Sequence, residues 1–191
     1  MPTDMEKVLS SVDKNIRFSY MDQVHSPTVH FIDDHGVYEG DGLMTKSDDM
    51  MLVVKTADCM PLVFYSREED VIGVIHMGWK SAAAGILENI KHDLSTFKVY
   101  AGVALRKCCY AVGEEFFGYS RIAPFLSRNE GKVFFDPVSF SRETLMEKGL
   151  KEADFMDTGI CSYCSDKQFA SRRRMGGLYS KTLSFIVKTR P

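Results

Sequence analysis

The chain has 191 residues, 45% hydrophobic and 26% charged, with a formal net charge of −2. That length and balance predict one folded domain over residues 1–191 with a sizeable core, and no shift in composition marks a second. The near-neutral charge gives no electrostatic reason to expect nucleic acid, no apolar run approaches the roughly 18 residues of a membrane span, and Met1-Pro2-Thr3-Asp4 lacks the basic then apolar pattern of an export signal. These features predict a cytoplasmic protein with a small-molecule partner, and they leave the oligomeric state open. In that setting five cysteines read as thiols or metal ligands before they read as a disulfide framework.

Thr3-Asp4-Met5-Glu6 has a capping-box pattern, and Met5, Val8, Leu9 and Val12 predict a short helix after it. Ile16, Phe18 and Tyr20 alternate like a strand, and Thr28 to Ile32 reads as the next one, so His25 falls at a strand junction. Glu39-Gly40-Asp41-Gly42 reads as a turn in which either glycine takes positive φ and Asp41 bonds its own backbone. Met60 to Tyr65 and Val71 to Ile75 then flank the charged segment Ser66 to Asp70, the pattern of a hairpin. If that hairpin closes symmetrically, Cys59 and His76 are cross-strand partners with Cβ atoms about 5 Å apart. A zinc ion bonded at about 2.3 Å to sulfur and about 2.0 Å to nitrogen fits between them. A register slip of one residue would send the two to opposite faces. A third ligand could come from His25, His30 or His35, which spacing does not separate.

Past His76, Gly78-Trp79-Lys80-Ser81-Ala82-Ala83-Ala84 leaves the strand through a glycine and opens a helix, whose buried stripe is predicted as Ala83, Ile86, Leu87, Ile90 and Leu94. The unpaired N–H groups of its first turn, with Lys80, could hold a phosphate; alternatively the small residues serve close helix-to-sheet packing. Phe97 to Ala104 reads as a strand and Val112-Gly113-Glu114-Glu115 as a helix start. Adjacent Cys108 and Cys109 point to opposite sides of an extended chain and are expected to be packing residues. Phe134 to Pro137 ends a further strand, Ser139 to Leu150 is predicted helical, and Leu178 to Val187 is the last strand. Cys161-Ser162-Tyr163-Cys164 is half of a zinc knuckle or a redox pair without a second Cys-x-x-Cys, and Ser171-Arg172-Arg173-Arg174 is either a solvated basic loop or a phosphate holder. Strands of both pairing types with intervening helices predict the α+β class.

Several unusual segments, in order, carry a family resemblance: Asp22-Gln23-Val24-His25, Asp41-Gly42-Leu43-Met44-Thr45, Lys55-Thr56-Ala57-Asp58-Cys59-Met60-Pro61, His76-Met77-Gly78-Trp79-Lys80, Cys108-Cys109-Tyr110-Ala111-Val112-Gly113-Glu114-Glu115 and Cys161-Ser162-Tyr163-Cys164-Ser165. Together they resemble the YfiH-like laccase-domain family, also called polyphenol oxidases or purine nucleoside phosphorylases. The resemblance implies layered mixed β-sheets flanked by helices, related to the cytotoxic necrotizing factor catalytic domain, with the site at the edge of the sheets. It implies a zinc held by His25, Cys59 and His76, with a fourth position open for water or a substrate oxygen. The implied chemistry is phosphorolysis of adenosine, inosine or methylthioadenosine, together with deamination of adenosine. Cys59 and His76 are then the catalytic residues, and Asp58, the nearest carboxylate in sequence, is the expected proton carrier. Phosphate falls to Lys80 and to at least one arginine of the basic loop, taken as Arg173, while Lys181 stands at a family arginine. Two departures are expected to matter. The chain begins later than typical members, which puts substrate choice in doubt, and Lys80 replaces an arginine whose bidentate fork an ammonium does not reproduce.

Two other readings use the same residues. Two histidines, a cysteine and the adjacent Met60 and Met77 describe a blue-copper centre, although five histidines are too few for that centre and a multinuclear oxygen-reducing cluster as well. A metal-free cysteine hydrolase would use Cys59 as nucleophile and His76 as base.

Overall fold

The computed structural model describes residues 11, 16–165, 169–176 and 180–189. The expected helix at Met5 to Val12 lies outside these residues, Ser11 apart. In chain order the strands are β1 (Arg17–Asp22), β2 (Val29–Phe31), β3 (Val37–Glu39), β4 (Gly42–Thr45), β5 (Met50–Thr56), β6 (Met60–Ser66), β7 (Val71–Met77), β8 (Lys98–Ala101), β9 (Ala111–Val112), β10 (Leu126–Asn129), β11 (Lys132–Phe135), β12 (Phe155–Asp157) and β13 (Thr182–Lys188). Three short α-helices lie among the described residues: α1 (Trp79–Ala83), α2 (Pro137–Glu147) and α3 (Arg172–Met175). The protein is mixed α/β, with more sheet and less helix than its sequence pattern predicts.

The strands form a four-stranded sheet ordered β13-β5-β1-β3, a six-stranded sheet ordered β12-β8-β6-β7-β4-β2 and a small sheet ordered β10-β11-β9. The two larger sheets lie face to face. Met21, Met50, Leu52 and Val54 from one side meet Leu43, Ile72 and Val74 from the other in a single buried cluster. Alternate residues of the six-stranded sheet, including Met60, Leu62, Phe64, Val71, Ile75 and Met77, face away from that cluster into a second core with Ile86, Phe97, Phe135 and Phe140. Strands covered on both faces need continuous apolar runs, and β7 is buried at every position.

The hairpin forms, but its register differs from the symmetric expectation. Met60 faces Met77 and Pro61 faces His76, and the reversal is made by Arg67 to Asp70 with Asp70 at φ 58°. The displacement is two residues, an even number, so Cys59 and His76 stay on one face as diagonal rather than direct neighbours. That face looks toward the four-stranded sheet, which places both residues where the gap between the layers opens.

The helix expected to run to Leu94 ends at Ala83, and Gly85 at φ +88° turns the chain out of helical geometry. Ile86, Leu87, Ile90 and Leu94 are buried as expected, but from a turn and the irregular chain after it, so burial rather than helicity set their spacing. The expected helix at Val112 is instead β9 followed by a 3-10 segment, Glu114–Gly118. Helix α2 begins where Asp136 accepts hydrogen bonds from Val138 N (3.2 Å) and Ser139 N (3.1 Å). No helix among the described residues is long and apolar enough to cross a membrane.

Candidate active site

His76 lies near the end of β7, 4% exposed, and its Nδ1 meets Asp41 Oδ1 at 2.7 Å. Asp41 is fully buried and sits one residue before β4, whose Gly42 pairs with Ile75, so carboxylate and imidazole face each other across adjoining strands. The other oxygen, Oδ2, accepts from Ser26 N (2.6 Å) and Ser26 Oγ (3.1 Å). One carboxylate therefore fixes His76 directly and His25 through its neighbour. His25 adopts φ 59°, in the left-handed region, and its loop is tied to the end of β5 by Gln23 Nε2 to Lys55 O (2.8 Å) and Lys55 N to Gln23 Oε1 (3.0 Å). With these constraints His25 Nε2 lies 3.8 Å from Cys59 Sγ, and the two imidazole rings are 4.8 Å apart at 74°.

One donor atom from each of His25, Cys59 and His76 falls within 4.8 Å of the other two, so the trio could hold a metal ion. For zinc at about 2.0 Å from nitrogen and about 2.3 Å from sulfur, tetrahedral angles require donors roughly 3.6 Å apart, close to the Cys59–His25 separation. Gly78 keeps the space clear. A Cβ there would lie 2.9 Å from His25 Cδ2 and 3.0 Å from Cys59 Sγ, so one of the two ligands would have to shift. Because Nδ1 of His76 is taken by Asp41, Nε2 is the nitrogen left for the site. Without a metal the trio holds a proton out of its usual place. Burial works to raise the Cys59 thiol pKa, but hydrogen bonds with His25 and His76 bring it down to about 6. Burial works to lower that of His76, but Asp41 and Cys59 push it up to about 9. Asp41, which burial would raise, is held below its ordinary value by His76 and Ser26.

The other residues expected at the site divide. Asp58, at φ 92°, lines the cavity, but both carboxylate oxygens are engaged: Oδ1 by Ser162 Oγ (2.7 Å), Oδ2 by Arg173 N (2.8 Å). Arg173 also lines it, while its guanidinium donates to Cys109 O (2.9 Å) and Ala111 O (3.1 Å) and thereby braces that loop. Lys80 is exposed, with Nζ 5.7 Å from the Trp79 ring centroid, and is not among the lining residues. Nor does α1 offer the expected anion site. It has only five residues, and Gly78 N donates to Ser81 Oγ (3.0 Å). His30 instead meets Glu39 O through Nε2 (2.8 Å) and is not part of the trio.

The cavity measures about 770 Å³ and opens beside Cys59 and His76. Trp79, Tyr110 and Phe116 give it aromatic walls, with Trp79 and Phe116 ring centroids 4.9 Å apart. Lys55, Lys181 and Arg172 give it positive charge. Burial, only partly offset by Asp22, holds the Lys55 pKa below its ordinary value, and Lys181 adds like-charge repulsion.

Residues 4–189 match the model of the family described as multi-copper polyphenol oxidoreductase laccase. The chain belongs to this laccase family. Among curated relatives, it is 31% identical over 179 residues to the purine nucleoside phosphorylase of Borreliella burgdorferi, covering 85% of this chain and 76% of that protein. It is 27% identical over 191 residues to adenosine deaminase RL5 of an unknown prokaryotic organism, covering 87% and 73%. In structure, the laccase-family fold seen here superposes on YlmD from Geobacillus stearothermophilus with TM-score 0.88 (23% identity, 96% of this chain and 78% of that one) and on YfiH from Bacillus licheniformis with TM-score 0.86 (23%, 96% and 79%). Within this laccase-family chain, sequence reasoning took Asp41 for a turn residue and missed its contact with His76. The signal was present: pairing the run that starts at Gly42 antiparallel to β7 puts Asp41 beside His76.

Proposed function

We propose that this chain is a zinc-dependent purine nucleoside phosphorylase that acts on adenosine, inosine and methylthioadenosine and also deaminates adenosine. The observation that carries this reading is that a nitrogen–sulfur–nitrogen donor trio forms the wall of a cavity equipped with both aromatic faces and cationic side chains. A purine needs the first and a phosphate the second. The curated relatives named as phosphorylases and as a deaminase support the same chemistry.

His25, Cys59 and His76 would hold the metal. When bound, zinc supplies Lewis-acid activation of water or of a substrate oxygen at the position the three ligands leave open. Asp41 fixes the tautomer of His76 and leaves its Nε2 free to serve as the metal ligand. Trp79 and Phe116 offer surfaces on which the base stacks. Tyr110 keeps its proton, because burial and the charge of Cys59 both push its phenol pKa up, so it can donate to substrate. Phosphate pairs with Lys55, Lys181 and Arg172 rather than with Lys80. Both oxygens of Asp58 already accept hydrogen bonds, so it serves as a clamp on the cysteine loop, and proton carriage passes to Asp22 or Glu115, the other carboxylates on the cavity wall.

The blue-copper reading loses its axial ligand. Met60 and Met77 alternate with Cys59 and His76 along their strands and are packed in the core on the opposite face of the sheet. The cysteine-hydrolase reading keeps one observation in its favour: the Cys59, His76 and Asp41 sequence of contacts is that of a nucleophile, a base and the group that orients the base. His25 separates the two readings, since a hydrolase has no use for a second imidazole 3.8 Å from the sulfur.

Incubation with adenosine, inosine and methylthioadenosine, with and without phosphate, tests the proposal. Phosphate-dependent release of free base is expected for all three, with phosphate-independent inosine from adenosine. His25→Ala, Cys59→Ala and His76→Ala should each abolish both reactions. Equal activity in all three variants would indicate host contamination and defeat the assignment, and loss of ester hydrolysis in Cys59→Ala but not in His25→Ala would establish the hydrolase instead.

A further inference from the structure

Cys108 and Cys109, expected to be packing residues, meet Cys161 and Cys164 at one surface corner. All five cysteines are free, Cys161 is buried, Cys109 is partly covered, and Cys108 and Cys164 are exposed. Cys108 Sγ lies 3.8 Å from Cys164 Sγ, and the four sulfurs are all within 4.8 Å of one another. Two sulfurs bound at about 2.3 Å to one tetrahedral zinc are separated by about 3.8 Å. The half-motif Cys161-x-x-Cys164 thus finds its complement in adjacent cysteines rather than in a second Cys-x-x-Cys. The backbone makes this possible: Cys109 N and Tyr110 N both donate to Arg106 O at 2.8 Å, so the chain turns here and both thiols point to the same side.

The convergence is built into the fold. Ala104 bridges in parallel to Cys161, and Ser162 N donates to Ala104 O at 2.9 Å. Beneath them Arg106, 7% exposed, donates to Ile160 O (3.1 Å), Gly102 O (2.7 Å) and Thr158 Oγ1 (3.2 Å), and its Nη1 lies 2.6 Å from Asp157 Oδ1. Ser165 N closes the second cysteine turn on Cys161 O at 3.1 Å.

We propose that Cys108, Cys109, Cys161 and Cys164 form a second metal site, a four-thiolate site for a thiophilic divalent cation of the zinc type. It does not depend on the function proposed for the His25–Cys59–His76 cavity. With four protein ligands the coordination is closed, so the ion is structural. What it would hold is the joint between two loops that reach the cavity: Tyr110 follows Cys109 directly, and Ser162, beside Cys161, holds Asp58 at 2.7 Å.

The test uses the full chain, purified under reducing conditions without added metal, with zinc counted by elemental analysis. Two zinc ions per chain are expected in the wild type and one in Cys59→Ala. One is also expected in Cys164→Ser and in Cys108→Ser. Metal-free Cys59→Ala protein titrated with cobalt(II) should give the intense sulfur-to-cobalt absorption of a tetrahedral thiolate site, and this readout stands even if the Cys108 and Cys164 variants fail to fold. Cys59→Ala protein that binds neither zinc nor cobalt overturns the proposal, as does a Cys108–Cys164 disulfide in anaerobically purified protein. A wild type with a single zinc, lost in Cys164→Ser but kept in Cys59→Ala, would support this site while sinking the metal reading of the cavity.

Discussion

The two donor clusters are assembled by different means. His25, Cys59 and His76 come from strand ends and the loops beside them. A fully buried carboxylate positions the two imidazoles, and all three residues face a cavity. Cys108, Cys109, Cys161 and Cys164 come from two turns clamped together by Arg106 and, among the described residues, have only one another as metal donors. Mixed donors with an open side suit chemistry, whereas four sulfurs closed on themselves suit a tether. The difference lies in what surrounds the ligands. Asp41 sets tautomer and charge in the first cluster, and among the described residues no carboxylate joins the second.

The sharpest way to break this contrast is to remove the shared thiolate of the first cluster. Cys59→Ala should lower phosphorolysis by more than ~100-fold, beyond the loss typical of an outer partner, while leaving the four-cysteine site loaded. Steady-state rates with parallel zinc counts check this. Next in size is Asp41→Asn, which keeps the shape but removes the charge that holds His76. Zinc affinity at the cavity should fall by ~10–100-fold, measured by competition with a chelating dye, and the second site should be unaffected.

A third prediction concerns pH. In metal-free protein the Cys59 pKa is depressed from its ordinary value of 9.0 to about 6, so the thiolate, which is the reactive form, is present above about pH 6 and lost below it. Alkylation mapped by peptide mass spectrometry should therefore rise through about pH 6 at Cys59. At Cys108, pushed up to about 11 by burial and by Cys164 and Cys161 against the opposing effect of Cys109, it should stay low at neutral pH. Zinc should protect Cys59. Equal rates at the two thiols would erase the distinction between the clusters. Smaller again is Gly78→Ala, whose new methyl meets His25 and Cys59 near 3 Å and should cost about 1–3 kcal/mol in thermal or denaturant unfolding, together with weaker zinc binding. The smallest effect belongs to Lys80→Ala. Because Lys80 does not line the cavity, the KM for phosphate should change less than about twofold, whereas Lys55→Ala should raise it about tenfold.

The first cluster was legible in the sequence to the extent that a strand's period is two. The parity of Cys59 and His76 survived a hairpin register displaced by two residues, since even displacements keep faces. Asp41 was not legible as a partner because Glu39-Gly40-Asp41-Gly42 satisfies every local rule for a turn, and only the pairing of β4 with β7 reveals its contact. The helix to Leu94 failed because spacing of three and four reports a buried stripe whether or not the backbone is helical, and Gly85 at positive φ decides against the helix. The four-cysteine corner was hidden for a different reason. The argument that adjacent cysteines diverge holds for extended chain, and Cys108-Cys109 lies in a turn.

Restoring activity to metal-free protein tests the central claim most directly. Wild-type protein stripped of zinc, with purity verified by the inert Cys59→Ala control, should release no adenine from adenosine and phosphate. Added zinc should restore adenine release in proportion to occupancy of the His25–Cys59–His76 site. Phosphorolysis that is already complete in the stripped protein, or that stays absent when the site is full, would contradict it.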